Sequence, residues 1–411
     1  MKRLVAIILA ALVAVAALVG VAFALPVQGE AISGLEYGYV VSGTKSESVE
    51  FVGETAHDDT YYLFGSSELA TMPDMVSTAP NNVLRAYDCG YQFTFIGDAY
   101  DQSLWMAIAA GAHEQAMPNR KLGLIVSLQW FTDGGLEPGI FKMRFSYPLY
   151  DAFCANPSIS DETKRYVARR LHEEGVDQAL VDAGVGKLPQ DFLNNAVFDA
   201  MSDIKLRQAL RDVRPEGSFP RQGTEPPDFE VLRERALIEA AAACSNNDFG
   251  VYNEYWDEYM APNLESRAGE MAGETLTDTP EYDDLRCFMD VCRECGIEPY
   301  IIIMPTNGKW YDHAGLSPEV RAGCYERIRT MCSEAGVECL DLSPYEYEPY
   351  YLRDIMHFGW LGWLDVEQGF MQFVSGKAPG DSGIAQAAGD GEPYDASDAP
   401  QPAEPSEGGA R

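Results

Sequence analysis

The chain has 411 residues and a formal net charge of −34, with 64 acidic residues against 30 basic ones. This charge excludes the class of nucleic-acid-binding proteins, because a polyphosphate would be repelled. A hydrophobic content of 46% can fill the core of one large domain or of two ordinary ones. The composition therefore predicts a well-solvated protein with a substantial core.

The N-terminus combines a basic start, Met1-Lys2-Arg3, with an uninterrupted apolar stretch over residues 4–25. A helix of roughly 20 apolar residues spans a bilayer core, and its basic flank favours the cytoplasmic side. A cleaved signal peptide is the alternative, since Ala22-Phe23-Ala24 resembles a cleavage site. Such peptides usually have a shorter apolar region of about 7–15 residues. Residues 1–26 are therefore predicted to be an uncleaved membrane anchor, with the rest of the chain outside.

The remainder of the chain divides by composition into three parts. Residues 27–58 are predicted to be a linker that leads into the domain, and residues 59–376 to be the domain itself. Residues 377–411 are rich in Gly, Ala, Pro, Asp and Glu and have almost no large apolar side chain. Because that composition cannot bury a core, the segment is predicted to be a disordered acidic tail.

Strands and capped helices alternate along the domain. Five apolar runs are typical of buried strands: residues 61–63, 93–96, 122–128, 300–304 and 337–342. Helices are predicted to begin at Thr279-Pro280 and Ser317-Pro318 and to end near Gly296 and Gly336. This alternation predicts an α/β fold, a three-layer α/β/α arrangement around a mainly parallel sheet. Residues 160–245 show helical spacing only and are predicted to form a helical insertion, either a lid or a partner surface.

The nine cysteines permit disulfides in an exported protein, although their odd number leaves at least one unpaired. Cys292 and Cys295 form a CxxC pair, but no second pair or nearby histidine completes a zinc site. The preferred interpretation is small buried side chains, with room for one or two bridges.

Candidate catalytic residues follow the strands, because ligands meet the carboxyl ends of the strands in an open parallel sheet. Ser66 and Ser67 follow the first strand, and a serine nucleophile needs a base that a carboxylate orients. Of the five histidines, His357 alone has an aspartate, Asp354, three residues before it, a spacing that brings both side chains to one side of a turn. The alternative is that the two serines form only a strand-ending turn. The other histidines are predicted to lie at the surface or to be hydrogen-bonded: His57, His113, His172 and His313.

These segments resemble the SGNH/GDSL hydrolase arrangement and, more narrowly, the motif set of the DltD family. The motifs that carry the resemblance are residues 65–69, 102–104, 127–131, 307–312 and 354–363. The resemblance aligns Ser67 with the nucleophile and Ser66 with the aspartate that usually precedes it. It assigns His357 as the base and Asp354 as the carboxylate that fixes the histidine tautomer.

The resemblance implies the transfer of D-alanyl groups onto teichoic acid at the outer face of the cell membrane. It implies two protein partners, a membrane-bound O-acyltransferase and a D-alanyl carrier protein whose phosphopantetheine delivers the amino acid. Whether the donor is the carrier itself or the acyltransferase is left open. No metal or bound organic cofactor is implied.

The resemblance also implies groups that stabilise an oxyanion: the backbone N–H of Ser67, another in the segment 97–101 that begins with Gly97, and the side-chain amide of Gln129. The chain departs from the family at residues 98–100, where glycines are usual. Gln129 has an alternative role as a polar residue that closes a strand.

Lys309 lies beside two aromatic residues and is expected to bind a teichoic phosphate. The alternative is a surface ion pair with Asp312. Two rival functions use the same residues differently. A surface O-acetyl esterase or acetyltransferase of the same superfamily would keep the triad, whereas a non-catalytic adaptor for the carrier protein would not need it.

Overall fold

The computed structural model describes residues 2–24, 37–70, 75–185, 192–214 and 223–376. Within them, five parallel strands form one sheet in the order β2-β1-β3-β4-β5. The strands are β1 Thr60–Phe64, β2 Gln92–Ile96, β3 Lys121–Ser127, β4 Glu298–Met304 and β5 Glu338–Asp341. Each of the five apolar runs forms one of these strands, so the predicted α/β fold with a parallel sheet is confirmed.

Helices connect the strands and cover both faces of the sheet. In chain order they are α1 Lys2–Ala24, α2 Gly43–Ser46, α3 Val49–Thr55, α4 Pro80–Val83, α5 Ser103–His113, α6 Pro138–Arg144, α7 Tyr147–Ala155, α8 Asp161–Glu173, α9 Gln178–Val185, α10 Phe192–Leu210, α11 Phe229–Ala243, α12 Asn253–Tyr255, α13 Glu281–Glu294, α14 Gly308–Ala314, α15 Pro318–Ala335 and α16 Trp360–Ser375. Short 3-10 turns at Ser67–Ala70 and Leu128–Phe131 follow β1 and β3.

Two apolar cores lie on opposite faces of the sheet, as the alternation of side chains along a strand requires. Leu124 of β3 packs in one core with α13, where Phe288 is fully buried. Its neighbour Ile125 packs in the other core with α16, where Phe370 is fully buried. The sheet is therefore the middle of three layers.

The helical part between β3 and β4 extends beyond the predicted 160–245, because α6 already begins at Pro138. The last helix of the predicted segment, α11, belongs to a core of the domain, where Leu232 is buried together with Trp363 of α16. Arg170 of α8 is hydrogen-bonded to Asp284 of α13 at 3.0 Å. Helices α8 and α11 are thus anchored against the central layers of the fold.

The segment predicted as a linker, residues 27–58, packs into the domain over the part that the structure describes, residues 37–58. Ser42 and Ser48 cap α2 and α3, and Phe51 is fully buried. The difference arises because Phe51 packs against Leu210 at the end of α10, a long-range contact that local composition does not reveal. Residues 27–36 and the predicted tail 377–411 lie outside the described residues.

Helix α1 is the one helix among the described residues that is long and apolar enough to cross a membrane, as judged by length and composition. Its segment Lys2–Val21 has a mean hydropathy of 3.1 and none of it is buried. An N-terminal apolar helix is therefore present where the sequence predicts the anchor. The nine cysteines all lie in the described part of the chain, and all are unbridged.

Candidate active site

The nucleophile candidate lies at the point of the sheet where the strand order reverses. Strand β1 pairs with β2 on one side and with β3 on the other. The connections from β1 and β3 therefore leave on opposite faces and open a crevice at the carboxyl end of β1. Ser67 is the first residue of the 3-10 turn that follows this strand end.

Two glycines allow the loops after β1 and β2 to touch. The Gly65 N–H donates to the Ile96 carbonyl at 3.0 Å, and the Ser66 hydroxyl donates to the Asp98 carbonyl at 3.4 Å. Gly97 has a φ of +124°, and a Cβ at this position would lie 1.9 Å from the Gly65 carbonyl oxygen. Only glycine fits such an approach, so the second loop fixes the turn that carries Ser67.

The buried carboxylate of Glu68 supports the same turn through a hydrogen bond. Glu68 is fully buried and accepts a hydrogen bond from the Ser66 N–H at 2.6 Å. Burial raises the pKa of Glu68, although its backbone hydrogen bonds and the nearby His357 ring act in the opposite direction. Glu68 therefore holds the strand end in the conformation that presents Ser67.

The histidine and the aspartate lie on a tight loop before α16. Residues Leu352 and Phe358 form an antiparallel bridge across this loop, and the Arg353 N–H donates to the His357 carbonyl at 3.0 Å. A Cβ at Gly359 would lie 2.7 Å from the Tyr350 carbonyl oxygen. The loop can close only because residue 359 has no side chain.

Ser67, His357 and Asp354 form one hydrogen-bonded chain. The Ser67 Oγ lies 2.7 Å from His357 Nε2, and His357 Nδ1 lies 2.8 Å from Asp354 Oδ2. The other oxygen of Asp354 accepts the N–H groups of Met356 and His357, both at 2.8 Å. The position of Ser67 at a strand end, the spacing of Asp354 and His357 and the family resemblance predicted that these residues act together, and the structure brings them into contact.

The environment of Asp354 keeps its carboxyl ionised. The side chain is 3% exposed, and burial on its own would raise its pKa. The His357 ring, the guanidinium of Arg353 and the backbone hydrogen bonds outweigh burial and hold the pKa of Asp354 below its ordinary value. A charged carboxylate can orient the imidazole and stabilise the imidazolium that forms when His357 takes a proton.

The other predicted site residues do not contact the triad through hydrogen bonds. The Gly97 N–H donates to the Ser46 hydroxyl at 2.9 Å, so it is engaged in the structure. Gln129 lies half-buried in the 3-10 turn after β3. Their roles in oxyanion stabilisation stay predictions.

Lys309 is exposed at the start of α14, and its Nζ donates to the Asp248 carbonyl at 2.8 Å. The alternative ion pair with Asp312 does not form, because Asp312 accepts from Arg321 at 2.9 Å. Lys309 and Leu352 line the same small cleft. Leu352 lies at the start of the loop that carries Asp354 and His357, which we call the triad loop. The expected role of Lys309 in phosphate binding stays a prediction.

Three residues of the site were not singled out from the sequence. Ser46 comes from the segment predicted as a linker, Glu68 directly follows Ser67, and Arg353 directly precedes Asp354. Glu68 and Arg353 lie within or next to the motifs, so position was the signal that could have found them. Of the other histidines, His113 is buried with Nε2 at 2.8 Å from the Ser46 carbonyl, and burial lowers its pKa to about 4.

Comparison with known proteins decides the family. A family model described as "DltD protein" matches residues 42–375. The chain belongs to the DltD family. It is 26% identical over 330 residues to Protein DltD of Bacillus subtilis (strain 168), which covers 77% of this chain and 83% of that protein. It is 25% identical over 325 residues to Protein DltD of Staphylococcus aureus (strain NCTC 8325 / PS 47), which covers 77% of this chain and 81% of that protein.

A third relative, Protein DltD of Lacticaseibacillus rhamnosus, is 26% identical over 345 residues, covering 79% of this chain and 80% of that protein. The family match begins at residue 42, within the segment that packs against the sheet, and ends at the last residue of α16. It therefore includes every residue of the hydrogen-bonded chain and its supporting loops.

Among the described residues, no group of three or more His, Cys, Asp or Glu side chains could hold a metal ion.

Proposed function

We propose that this DltD-family protein is an SGNH-type serine acyltransferase that transfers D-alanyl groups onto teichoic acid at the outer face of the cell membrane. The observation that carries the proposal is the hydrogen-bonded chain from Ser67 through His357 to Asp354. A scaffold has no need of a base 2.7 Å from a serine at the carboxyl end of a strand. Membership of the DltD family supports a role in teichoic-acid D-alanylation rather than in another acyl transfer.

In the first half-reaction, His357 Nε2 removes the Ser67 proton while Oγ attacks the carbonyl carbon of the D-alanyl donor. The carbonyl oxygen becomes an oxyanion, and the imidazolium is stabilised by the ionised Asp354. Collapse of the tetrahedral intermediate breaks the bond to the leaving group, which takes the proton from His357. The product is a D-alanyl ester on Ser67.

In the second half-reaction, a hydroxyl of the teichoic acid takes the place of water. His357 removes its proton, the oxygen attacks the Ser67 ester, and Ser67 leaves with the proton that His357 returns. The Ser67 N–H, an N–H in the segment 97–101 and the Gln129 amide are the proposed oxyanion donors. The N–H of Gly97 would have to leave the Ser46 hydroxyl to take part.

On this proposal, the N-terminus is cytoplasmic and residues after α1 are outside the cell, where the acceptor lies. The D-alanyl group would come from the phosphopantetheine of a carrier protein, either directly or through a membrane-bound O-acyltransferase. Lys309, at the edge of the cleft beside the triad loop, is proposed to contact a phosphate of the polymer.

The test is the D-alanine that alkali releases from envelopes of cells whose only copy carries Ser67→Ala. Ser66→Ala at matched protein level is the control, because the Ser66 hydroxyl reaches only the Asp98 carbonyl. We expect Ser67→Ala to abolish the ester and Ser66→Ala largely to spare it.

Ester levels that survive Ser67→Ala would contradict the proposal and favour a non-catalytic adaptor. If instead the purified protein hydrolyses small acetyl esters freely and transfers no D-alanine, an O-acetyl esterase that uses the same triad is the function.

A further inference from the structure

Arg353 lies directly before the triad aspartate and carries a guanidinium that no carboxylate binds closely. Its backbone is held on both sides, since its N–H donates to the His357 carbonyl and its carbonyl accepts from the Tyr252 N–H at 2.8 Å. The side chain is 15% exposed. Its Nε lies 3.6 Å from Asp354 Oδ2, and its Nη1 contacts the Met75 Sδ at 3.8 Å.

This environment is unusual for a buried arginine in a chain with 64 acidic residues. Arg321 is fully buried and donates to Glu346 at 3.1 Å and to Asp312 at 2.9 Å. Arg170 is similarly saturated by Asp284. Among the described residues, the buried Nε of Arg353 has no hydrogen-bond partner, and the contact of its Nη1 is with the weak acceptor Met75 Sδ. Donors that are removed from water and left without acceptors are costly, and a ligand can supply the acceptors.

We propose that Arg353 binds a phosphodiester of the substrate next to Ser67. The inference rests on the proposed function, in which both the phosphopantetheine donor and the teichoic-acid acceptor carry phosphodiesters. A guanidinium presents paired N–H groups that match two phosphate oxygens, and it keeps its charge at any physiological pH. The Arg353 Nε lies 3.6 Å from Asp354 Oδ2, so a phosphate held there lies beside the hydrogen-bonded chain that ends at Ser67. In a glycerol phosphate unit the free hydroxyl is a few bonds from the phosphate, whereas the phosphate of phosphopantetheine is separated from the thioester by the whole pantetheine arm, so the acceptor is the expected source of the phosphodiester.

The competing explanation is that Arg353 only supports the charge of Asp354. The guanidinium does contribute to holding the pKa of that carboxyl down. The two roles predict different effects on substrates with and without a phosphate. Support of Asp354 affects every substrate equally, whereas phosphate binding affects only substrates that carry a phosphate.

The experiment compares substrate pairs on the full-length protein in detergent. On the donor side, D-alanyl phosphopantetheine is compared with D-alanyl pantetheine, which lacks only the phosphate. On the acceptor side, glycerol phosphate oligomers are compared with glycerol. The variants are Arg353→Gln and Arg353→Lys, with Arg286→Gln as the charge-matched control, since Arg286 forms an exposed ion pair with Asp283 on α13.

We expect Arg353→Gln to lower the ratio of kcat/KM for the phosphate-bearing substrate over its neutral counterpart by about 10- to 100-fold. Arg353→Lys should recover part of this ratio, because lysine keeps the positive charge but lacks the paired N–H groups of the guanidinium. Arg286→Gln should leave the ratio as it is. The side on which the ratio falls, donor or acceptor, identifies the source of the phosphodiester.

Equal losses with both members of each pair would overturn the inference and assign Arg353 to the support of Asp354. If the wild-type protein transfers no D-alanine from any donor, the proposed function fails separately. Arg353 is then tested through inhibition of p-nitrophenyl acetate hydrolysis by glycerol 3-phosphate, with glycerol as the control. Inhibition that Arg353→Gln weakens supports phosphate binding, and its absence in the wild type rejects it.

Discussion

At the scale of single residues, Glu367 of α16 is a buried acid whose carboxyl group has no compensating hydrogen bond among the described residues. Its side chain is fully buried, and neither carboxyl oxygen has a hydrogen-bond partner among the described residues. Burial raises its pKa well above the ordinary value. The pKa of Glu367 is higher in the folded state than in the unfolded state. Glu367 therefore does not lower the free energy of unfolding below about pH 4, where both states are protonated. The destabilisation grows as the pH rises through the unfolded pKa toward the folded one.

Replacing Glu367 with methionine, which has a similar volume and no charge, should therefore raise the melting temperature. The gain should be larger at about pH 8 than at about pH 5, because each pH unit between the two pKa values adds about 1.4 kcal/mol to the difference in the free energy of unfolding. Calorimetry of the full-length protein at both pH values measures it.

The matched control is Glu239→Met on the exposed face of α11, which should show no such pH dependence. A difference between Glu367→Met and wild type that is the same at both pH values would mean that Glu367 finds a partner in solution.

At the scale of elements, the site depends on the contact between the loops after β1 and β2. Gly97→Ala should displace the Gly65 carbonyl, because the new Cβ would lie 1.9 Å from it. Ser67 is two residues from Gly65, so we expect the transfer rate per folded molecule to fall by at least about 10-fold, in addition to a loss of about 1–2 kcal/mol from the unfavourable φ.

Gly90→Ala separates these two effects. Gly90 also has a positive φ, +72°, but a Cβ there would meet nothing within 4 Å. Circular dichroism melting should show a smaller destabilisation in Gly90→Ala than in Gly97→Ala, and initial rates per folded molecule should show a defect in Gly97→Ala alone. A rate defect of similar size in Gly90→Ala would show that general destabilisation, and not the loop contact, limits activity.

The elements that sequence predicts well are those specified by local signals. Ser317 caps α15 by accepting from the Val320 N–H, and Gly336 ends the helix at a φ of +66°, both as the sequence indicates. The helix predicted from Thr279-Pro280 begins one residue later, at Glu281. The Asp354–His357 pair was equally local, since the two residues are three positions apart in the sequence.

Contacts between distant segments could not be predicted in the same way. Ser46 lies 51 residues from Gly97, and its hydroxyl accepts the Gly97 N–H only because α2 packs beside β2. Glu281 accepts the Ser103 N–H at the start of α5 across 178 residues. Neither hydrogen bond is indicated by the residues next to its donor or its acceptor in the sequence. Sequence therefore indicated the three residues of the hydrogen-bonded chain and missed the residues that hold them in place.

At the scale of the whole molecule, the negative charge belongs mainly to the domain that carries the site. Residues 377–411 contain seven acidic and two basic residues, so they account for only five of the 34 net negative charges. On the proposed function, a polyphosphate acceptor approaches a strongly anionic domain, in which the positive charges of Arg353 and Lys309 are local exceptions.

This charge distribution predicts that salt accelerates the reaction with the polymer. Raising NaCl from about 10 mM to about 150 mM shortens the screening length from about 30 Å to about 8 Å, which weakens repulsion over the domain more than it weakens close contacts at the site. We expect kcat/KM for glycerol phosphate oligomers to rise over this range, while kcat/KM for glycerol stays constant. A variant that ends at residue 376 should show the same dependence, since the deleted segment carries little of the charge. If kcat/KM for the oligomers instead falls with salt, attraction to the basic side chains at the site outweighs the field of the domain, and the acceptor is guided rather than repelled.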